Sequence, residues 1–221
     1  METDYSFALG PLTIQASVVT TWGVMLLLFG LAWLSTRNLK MFPGVLQTVV
    51  EGIVATIEEA VLAVAPEHGR LILPFIGTLW LFLIVANLVG LIPGLHSPTR
   101  DLSVTSALAV LVFFSVPWYG IKTQGCKNYL RHYLTPSPLL LPFHIISEFT
   151  RTLALAIRLF GNMMSLEMAA LLILLVAGFL APIPILMLHI IEALVQAYIF
   201  GMLALIYLAG AIQSQRHDSK E

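Results

Sequence analysis

The chain has 221 residues, 58% of them hydrophobic and only 10% charged, with a mean hydropathy of +0.92 and a formal net charge of −1. A soluble domain normally carries about 25% charged residues, so this composition describes one polytopic membrane domain with no room for a second, soluble one. The charge balance offers no basic surface for nucleic acid, and the single cysteine, Cys126, excludes an intrachain disulfide and any multi-cysteine metal site.

The N-terminus begins with Glu2 and Asp4 and has no Lys or Arg before Arg37. The cationic region of a cleavable signal peptide is therefore missing, and targeting is expected to come from the first hydrophobic helix. That span covers residues 18–34 and is closed by Ser35, Thr36, Arg37, Asn38 and Lys40; about 20 apolar residues cross a ~30 Å hydrocarbon core as helix. Residues 43–65 form a helix of another kind. Pro43 suits a first helical turn, Gln47, Glu51 and Glu58 share one side with Glu59 adjoining, and Val45, Val49, Ile53 and Leu62 lie elsewhere. A polar stripe on an apolar helix reads as an interfacial helix, or one packed on other spans, in preference to a tilted ordinary span.

After a break at residues 66–70, residues 71–95 form an uncharged span whose main polar residue is Asn87. A short turn-rich loop leads to a span over residues 102–121, with Pro117 expected to kink its end. A polar connection with Lys127, Arg131 and His132 precedes a long apolar region, which Gly178, Pro182 and Pro184 divide into helices over residues 139–178 and 183–212. Residues 213–221 form a polar tail, expected to fray. The expected fold is an all-α polytopic membrane protein with about five membrane-embedded helices plus one amphipathic helix. With the N-terminus outside, Arg37, Lys40, Arg70, Lys122, Lys127, Arg131, Arg216 and Lys220 fall on the cytoplasmic side and only Arg100 falls outside, the bias that orients membrane proteins.

The last two helices carry the chemistry. Arg158 stands in the nearly charge-free run Leu153-Ala154-Leu155-Ala156-Ile157-Arg158-Leu159-Phe160-Gly161-Asn162-Met163. A guanidinium cannot be neutralised, and at mid-bilayer it costs at least ~2.5–3.5 kcal/mol. Either it serves a moving ion, a carboxylate partner or a water-filled path, or it is a structural Arg that pairs with a Glu or snorkels to the surface. Glu148 and Arg151 are three apart and can pair on the inner side. Arg151 and Asn162 share the side of Arg158, and that face is expected to continue through Leu155 and Ser165. Glu167 lies nine residues beyond Arg158, half-way round the helix. On the last helix His189, Glu192 and Gln196 fall at i, i+3 and i+7. Glu167 and His189 lie towards the outer side, where a carboxylate and an imidazole can hold protons, water or a small cation. The Glu148–Arg151 and His189–Glu192 pairs are equally open to a purely structural role.

Arg158-Leu159-Phe160-Gly161-Asn162-Met163 resembles the signature of subunit a of the membrane (Fo) sector of rotary F-type ATP synthases. Asn87-Leu88-Val89-Gly90-Leu91-Ile92-Pro93, Thr99-Arg100-Asp101-Leu102-Ser103-Val104-Thr105 and Gln196-Ala197-Tyr198-Ile199-Phe200 look like that family's middle span, outer loop and last helix, and the resemblance covers residues 15–212. It implies two long, tilted last helices forming a hairpin against a rotor ring. It matches Arg158 to the stator arginine facing the ring, Asn162 and Gln196 to its polar neighbours, and Glu167 and His189 to the lining of an outer half-channel. The function implied is ion translocation that couples proton or sodium flow to rotation of the c-ring, with no catalytic site and no cofactor in this chain. The implied partners are the c-ring, the peripheral-stalk b subunits, other ATP synthase subunits and the lipid bilayer. The implied location is the bacterial plasma (inner) membrane, with the N-terminus outside and the C-terminus cytoplasmic. The chain departs from the family at Thr152, often proline there, at Ala154, where a hydroxyl residue is common, and at Glu192, an extra acid near His189.

Three other readings compete. An ion-coupled secondary transporter, with Arg158 binding an anionic substrate, would show inverted repeats, and no matching halves are visible. An intramembrane metalloprotease would need His-Glu-x-x-His spacing, which the six histidines lack. A purely structural membrane subunit leaves Arg158 and Glu167 without a purpose.

Overall fold

A hydrocarbon core offers backbone N–H and C=O groups no partner but each other, so apolar runs of spanning length become helices. The computed structural model describes residues 7–9, 12–37, 44–92, 97–125, 141–177 and 183–213. The helices are α1 (Ala16–Arg37), α2 (Val45–Val64), α3 (Gly69–Val89), α4 (Leu102–Gln124), α5 (Leu141–Ala177) and α6 (Ile183–Gln213), with a single 3-10 turn at Pro98–Arg100 before α4. Ahead of α1, β1 (Phe7–Leu9) and β2 (Leu12–Ile14) pair antiparallel with Phe7 opposite Ile14, a small ribbon that the sequence pattern does not signal. Among the described residues five helices, all but α2, are long and apolar enough to cross a membrane. The chain is a helical, multi-pass membrane protein. Pro43, the polar connection around Lys127, Arg131 and His132, the Pro182 turn and the tail beyond Gln213 lie outside the described residues.

Two helix ends differ from the sequence expectation. The third helix stops at Val89 instead of reaching residue 95, and its last turn closes through Leu91 N–H to the Leu88 carbonyl and Ile92 N–H to the Val89 carbonyl. Pro93 follows, and it disfavours helix in the residue before it. The fourth helix continues through Pro117 to Gln124 and ends at Gly125, whose φ of 82° few other residues adopt. Transmembrane helices tolerate an internal proline because neighbouring groups satisfy the freed backbone.

Buried area is distributed unevenly. α3 and α6 form the interior, whereas α1 and α5 are the most exposed spans. Ile72, Ile76 and Leu83 of α3 pack with Phe200, Leu205 and Leu208 of α6, with Val112 of α4, and with Leu155 and Leu159 of α5. Small residues at Ala193, Ala197, Gly201 and Ala204 line the buried side of α6. Van der Waals packing, the main source of helix association in lipid, requires such close approach. Trp80 lies across Gly201 and stacks on Tyr198, with planes 2° apart and centroids 6.1 Å apart.

α2 packs against α3 through Val61 and Ile57. Its polar stripe is held locally: Gln47 Nε2 donates to Glu51 Oε1 at 2.7 Å, and Glu58 meets Arg70 at 3.8 Å. The second contact is an exposed ion pair of the kind that adds little stability. α1 is attached near its N-terminal end by Ser17, whose hydroxyl donates to Asp101 Oδ2 at 2.6 Å. Asp101 also caps α4 by accepting the Ser103 N–H at 2.9 Å. Burial pushes this carboxyl up, but the Ser17 hydroxyl, the Ser103 groups and the Arg100 charge outweigh it, and it titrates below its ordinary value.

Candidate functional site

α5 and α6 run antiparallel. Asn162 reaches Gln196 near one end of their contact, and Arg151 reaches Tyr207 towards the other. The sequence of α5 explains which side it buries. Leu155, Leu159 and Met163, spaced four apart, point into the bundle and are 0–2% exposed. The opposite sector is exposed and reads Ser147, Arg151, Ala154, Arg158, Gly161 and Ser165, alternating by three and four residues. Leu155 therefore does not continue the Arg158 face, as the sequence suggested. It lies about 60° away at 100° per residue, far enough to enter the core, and Ala154 and Gly161 take its place beside Ser165.

Arg158 is exposed near the middle of α5, which has 37 residues and a length of about 55 Å at 1.5 Å per residue. Among the described residues it has no ion pair and no hydrogen bond. The structural alternative, a carboxylate partner within the same chain, is thus not what these residues show. It shares its exposed face with side chains no larger than serine at Ala154, Gly161 and Ser165.

Next to it the polar pair forms as a direct contact. Asn162 Nδ2 donates to Gln196 Oε1 at 2.7 Å. Gln196 is 1% exposed, and its Nε2 is buried with no hydrogen-bond partner among the described residues. A buried, unsatisfied amide N–H costs about 1–3 kcal/mol. His189 is buried two turns along the same helix, and Glu192 is half-buried between them. Glu167 lies on α5, and its side chain is outside the described residues.

On the far side of Arg158, Arg151 meets an aromatic ring of α6. Arg151 places its guanidinium 4.6 Å from the centroid of the Tyr207 ring, a cation–π contact worth about 0.5–2 kcal/mol depending on desolvation. Glu148, Arg151, Thr152 and Tyr207, with Val112, Phe113 and Val116, line a small open pocket between α4, α5 and α6. Tyr207 belongs to no motif that the sequence makes visible. Its signal was available, because it stands eleven residues after Gln196 and so within about 20° of the same face.

A second overlooked group lies behind α6. Asn87 is completely buried and donates from Nδ2 to the Ala193 carbonyl at 3.0 Å, while its Oδ1 accepts from Thr99 Oγ1 at 2.7 Å. The sequence marked Asn87 as the main polar residue of its span but did not indicate what it touches.

The comparisons with known proteins agree with one another. Residues 18–209 match the family model described as ATP synthase A chain. ATP synthase subunit a 2 of Pelobacter propionicus is 65% identical over 221 residues, which is 99% of this chain and 97% of that protein. ATP synthase subunit a 1 of Hahella chejuensis is 68% identical over 205 residues, 93% of this chain and 87% of the relative. ATP synthase subunit a of Legionella pneumophila is 55% identical over 217 residues, 98% and 94% respectively.

Proposed function

Because the chain belongs to the ATP synthase A chain family, subunit a of the Fo sector, we propose that it forms two offset half-channels and supplies Arg158 as the stator arginine facing the c-ring. As a member of that family it is an ion-translocating component of the ATP synthase, acting with the other subunits of the complex. The observation that carries the finer reading is Arg158 itself. It is an exposed guanidinium near the middle of a spanning helix, without a counter-charge among the described residues of its own chain. Such a charge is costly in lipid, and a carboxylate brought by another chain would remove the cost.

The mechanism follows from electrostatics. An ion enters through the outer half-channel, past Glu167, His189 and Glu192, and neutralises a carboxylate on the ring. A neutral carboxyl can turn into lipid, where a charged one would be costly. After almost a full rotation the site reaches Arg158, whose fixed charge favours the ionised carboxylate and drives the ion out on the inner side. Glu148, Arg151 and Tyr207 line the pocket at that end. The same positive charge repels free cations and blocks a direct leak. About 2.3 kcal/mol per charge per 100 mV is available from the membrane potential, and the output is torque rather than a chemical product. The subunit itself is non-catalytic, and its ions are protons or sodium. It lies in the bacterial plasma membrane with the N-terminus outside and the C-terminus cytoplasmic, beside the peripheral-stalk b subunits.

Small residues around Arg158 suit a surface that another helix slides past, since strong fixed pairs would stop it. Cysteines at Ser165 or Ala154, paired with cysteines on the outer helix of the ring, are expected to crosslink and to stop rotation. Crosslinking only to a non-rotating subunit, or to nothing, would show that the ring lies elsewhere. The outer path has its own test. Once Cys126 is replaced, cysteines at Glu167, His189 and Glu192 should react with small aqueous thiol reagents from outside, and cysteines at Leu175 and Val176 should react poorly. Equally low labelling at all three polar positions would mean a dry cluster.

A further inference from the structure

α3 makes two side-chain contacts to the backbone of α6, one on each side of Gln196. Trp80 Nε1 points at the Tyr198 carbonyl at 3.4 Å, a distance that makes it a weak bond, and Asn87 Nδ2 donates to the Ala193 carbonyl at 3.0 Å. The Asn87 contact has support behind it. Thr99 Oγ1 lies 2.7 Å from Asn87 Oδ1, Ser97 Oγ lies 2.6 Å from Thr99 Oγ1, and Ser97 Oγ donates to the Ala86 carbonyl at 2.9 Å. Asn87 and Thr99 are 0% exposed and Ser97 is 5% exposed. Two hydroxyl protons serve these three oxygen contacts, and the amide is oriented when the Thr99 proton is on Asn87 Oδ1. An amide turned the other way would set its oxygen against the Ala193 carbonyl. The turn that carries Ser97 is itself pressed onto α3, since a Cβ on Gly90 would meet Ser97 Cβ at 2.9 Å.

We propose that Asn87, oriented by Thr99 and Ser97, is a positioning residue that fixes the rotation and height of α6 so that Gln196 meets Asn162 beside Arg158. Ala193 stands four residues after His189 and three before Gln196, so its carbonyl belongs to the turn that joins the outer polar groups to the central pair. A rotation of α6 by about 30° would sweep a side-chain end, at ~5–6 Å from the axis, by about 3 Å. That movement would break the 2.7 Å Asn162–Gln196 contact. Around Ala193 and Ala197 the helix presents little shape to resist such a turn, and a directional bond to the backbone resists it. The ring passes α6 and α5 at every step, and a stator helix that turned with it would lose the alignment on which release depends. The inference rests on the stator reading above.

The test uses the intact ATP synthase in sealed vesicles, with ATP-driven ion pumping measured per assembled complex. Thr99→Val keeps the size and removes the hydroxyl, and is expected to slow pumping about tenfold, the rate equivalent of one lost buried hydrogen bond. Thr99→Ser should restore the wild-type rate. Asn87→Leu should slow pumping at least as far, and adding Thr99→Val to it should cost nothing more, because Thr99 acts through the amide. A mere packing role predicts fewer assembled complexes with an unchanged rate in each, and that result would overturn the proposal. Additive losses from the two sites would overturn it as well. If Asn87→Leu fails to assemble, the contrast between Thr99→Val and Thr99→Ser decides alone. Arg158→Ala serves as the reference: if it pumps normally, the stator reading fails, and if it is silent while Thr99→Val is normal, only the positioning role fails.

Discussion

Arg158→Ala is expected to abolish ATP-driven ion pumping and coupled ATP synthesis while the complex still assembles. The two halves of this expectation come from the same observation. Arg158 is exposed and makes no ion pair or hydrogen bond among the described residues, whereas the packing of α5 is made by Leu155, Leu159 and Met163 on the other side. Truncating it removes no core contact and relieves a charge that is costly in lipid, so folding and assembly should hold. Function loses the fixed positive charge. Two unit charges 4 Å apart at an effective dielectric of about 20 interact by about 4 kcal/mol, roughly a thousandfold in the rate of ion release. Arg158→Lys should fail or nearly fail, because an ammonium on a flexible stem can lose its proton in a dry site and lacks the planar fork. Rates in sealed vesicles, normalised to assembled complex, check this. Full coupled synthesis by the alanine variant would refute the stator role.

Much of the architecture was legible because membrane helices announce themselves by the length of their apolar runs. Five spans and a separate α2 follow from counting, and Glu51, Glu58 and Glu59 suffice to set α2 apart. Helix ends were harder to place. Pro117 was expected to kink the end of a span closing at residue 121, yet α4 runs through it to Gln124, since a transmembrane helix tolerates an internal proline. α3 stops short at Val89, where Gly90 must leave space for Ser97, seven residues ahead. Faces were half legible. A 3.6-residue period groups Arg158 with Asn162 and Ser165 but does not reveal which sector turns inward, and a 60° error moved Leu155 from core to surface. Contacts between helices were not legible at all. Asn87 to Ala193 and Arg151 to Tyr207 depend on the relative height and rotation of two helices, which no single-helix pattern encodes. The Asn162–Gln196 pair was reached only through resemblance, although both residues are unusual enough in apolar helices to invite pairing.

Gly201→Ala should be the most damaging glycine-to-alanine change among the glycines Gly23, Gly30, Gly44, Gly52, Gly69, Gly77, Gly90, Gly161, Gly201 and Gly210. A Cβ at this position would overlap the Nε1 and Cδ1 atoms of the Trp80 indole, whereas Gly23, Gly30, Gly52, Gly161 and Gly210 have open space around theirs. The indole cannot simply slide aside. It is 5% exposed, stacked on Tyr198, and surrounded by Ile76, Leu83, Ala197 and Phe200 in the central cluster. Overpacking a well-filled core costs about 1–3 kcal/mol, and expelling a buried tryptophan approaches the 3–5 kcal/mol of its truncation. The consequence extends beyond stability, because Gly201 is five residues from Gln196 and three from Tyr198 on the same helix. Pushing α3 and α6 apart at Trp80 would also load the Asn87 contact to Ala193. Gly201→Ala is therefore expected to lower the thermal stability of the detergent-solubilised chain and the yield of assembled complex, with Gly30→Ala, which has open space around its Cβ, as the control that does neither. Trp80→Leu should recover much of the loss when combined with Gly201→Ala, since the smaller side chain vacates the space the methyl needs. Independent, additive damage from the two substitutions would mean that the indole does not occupy that space in the membrane.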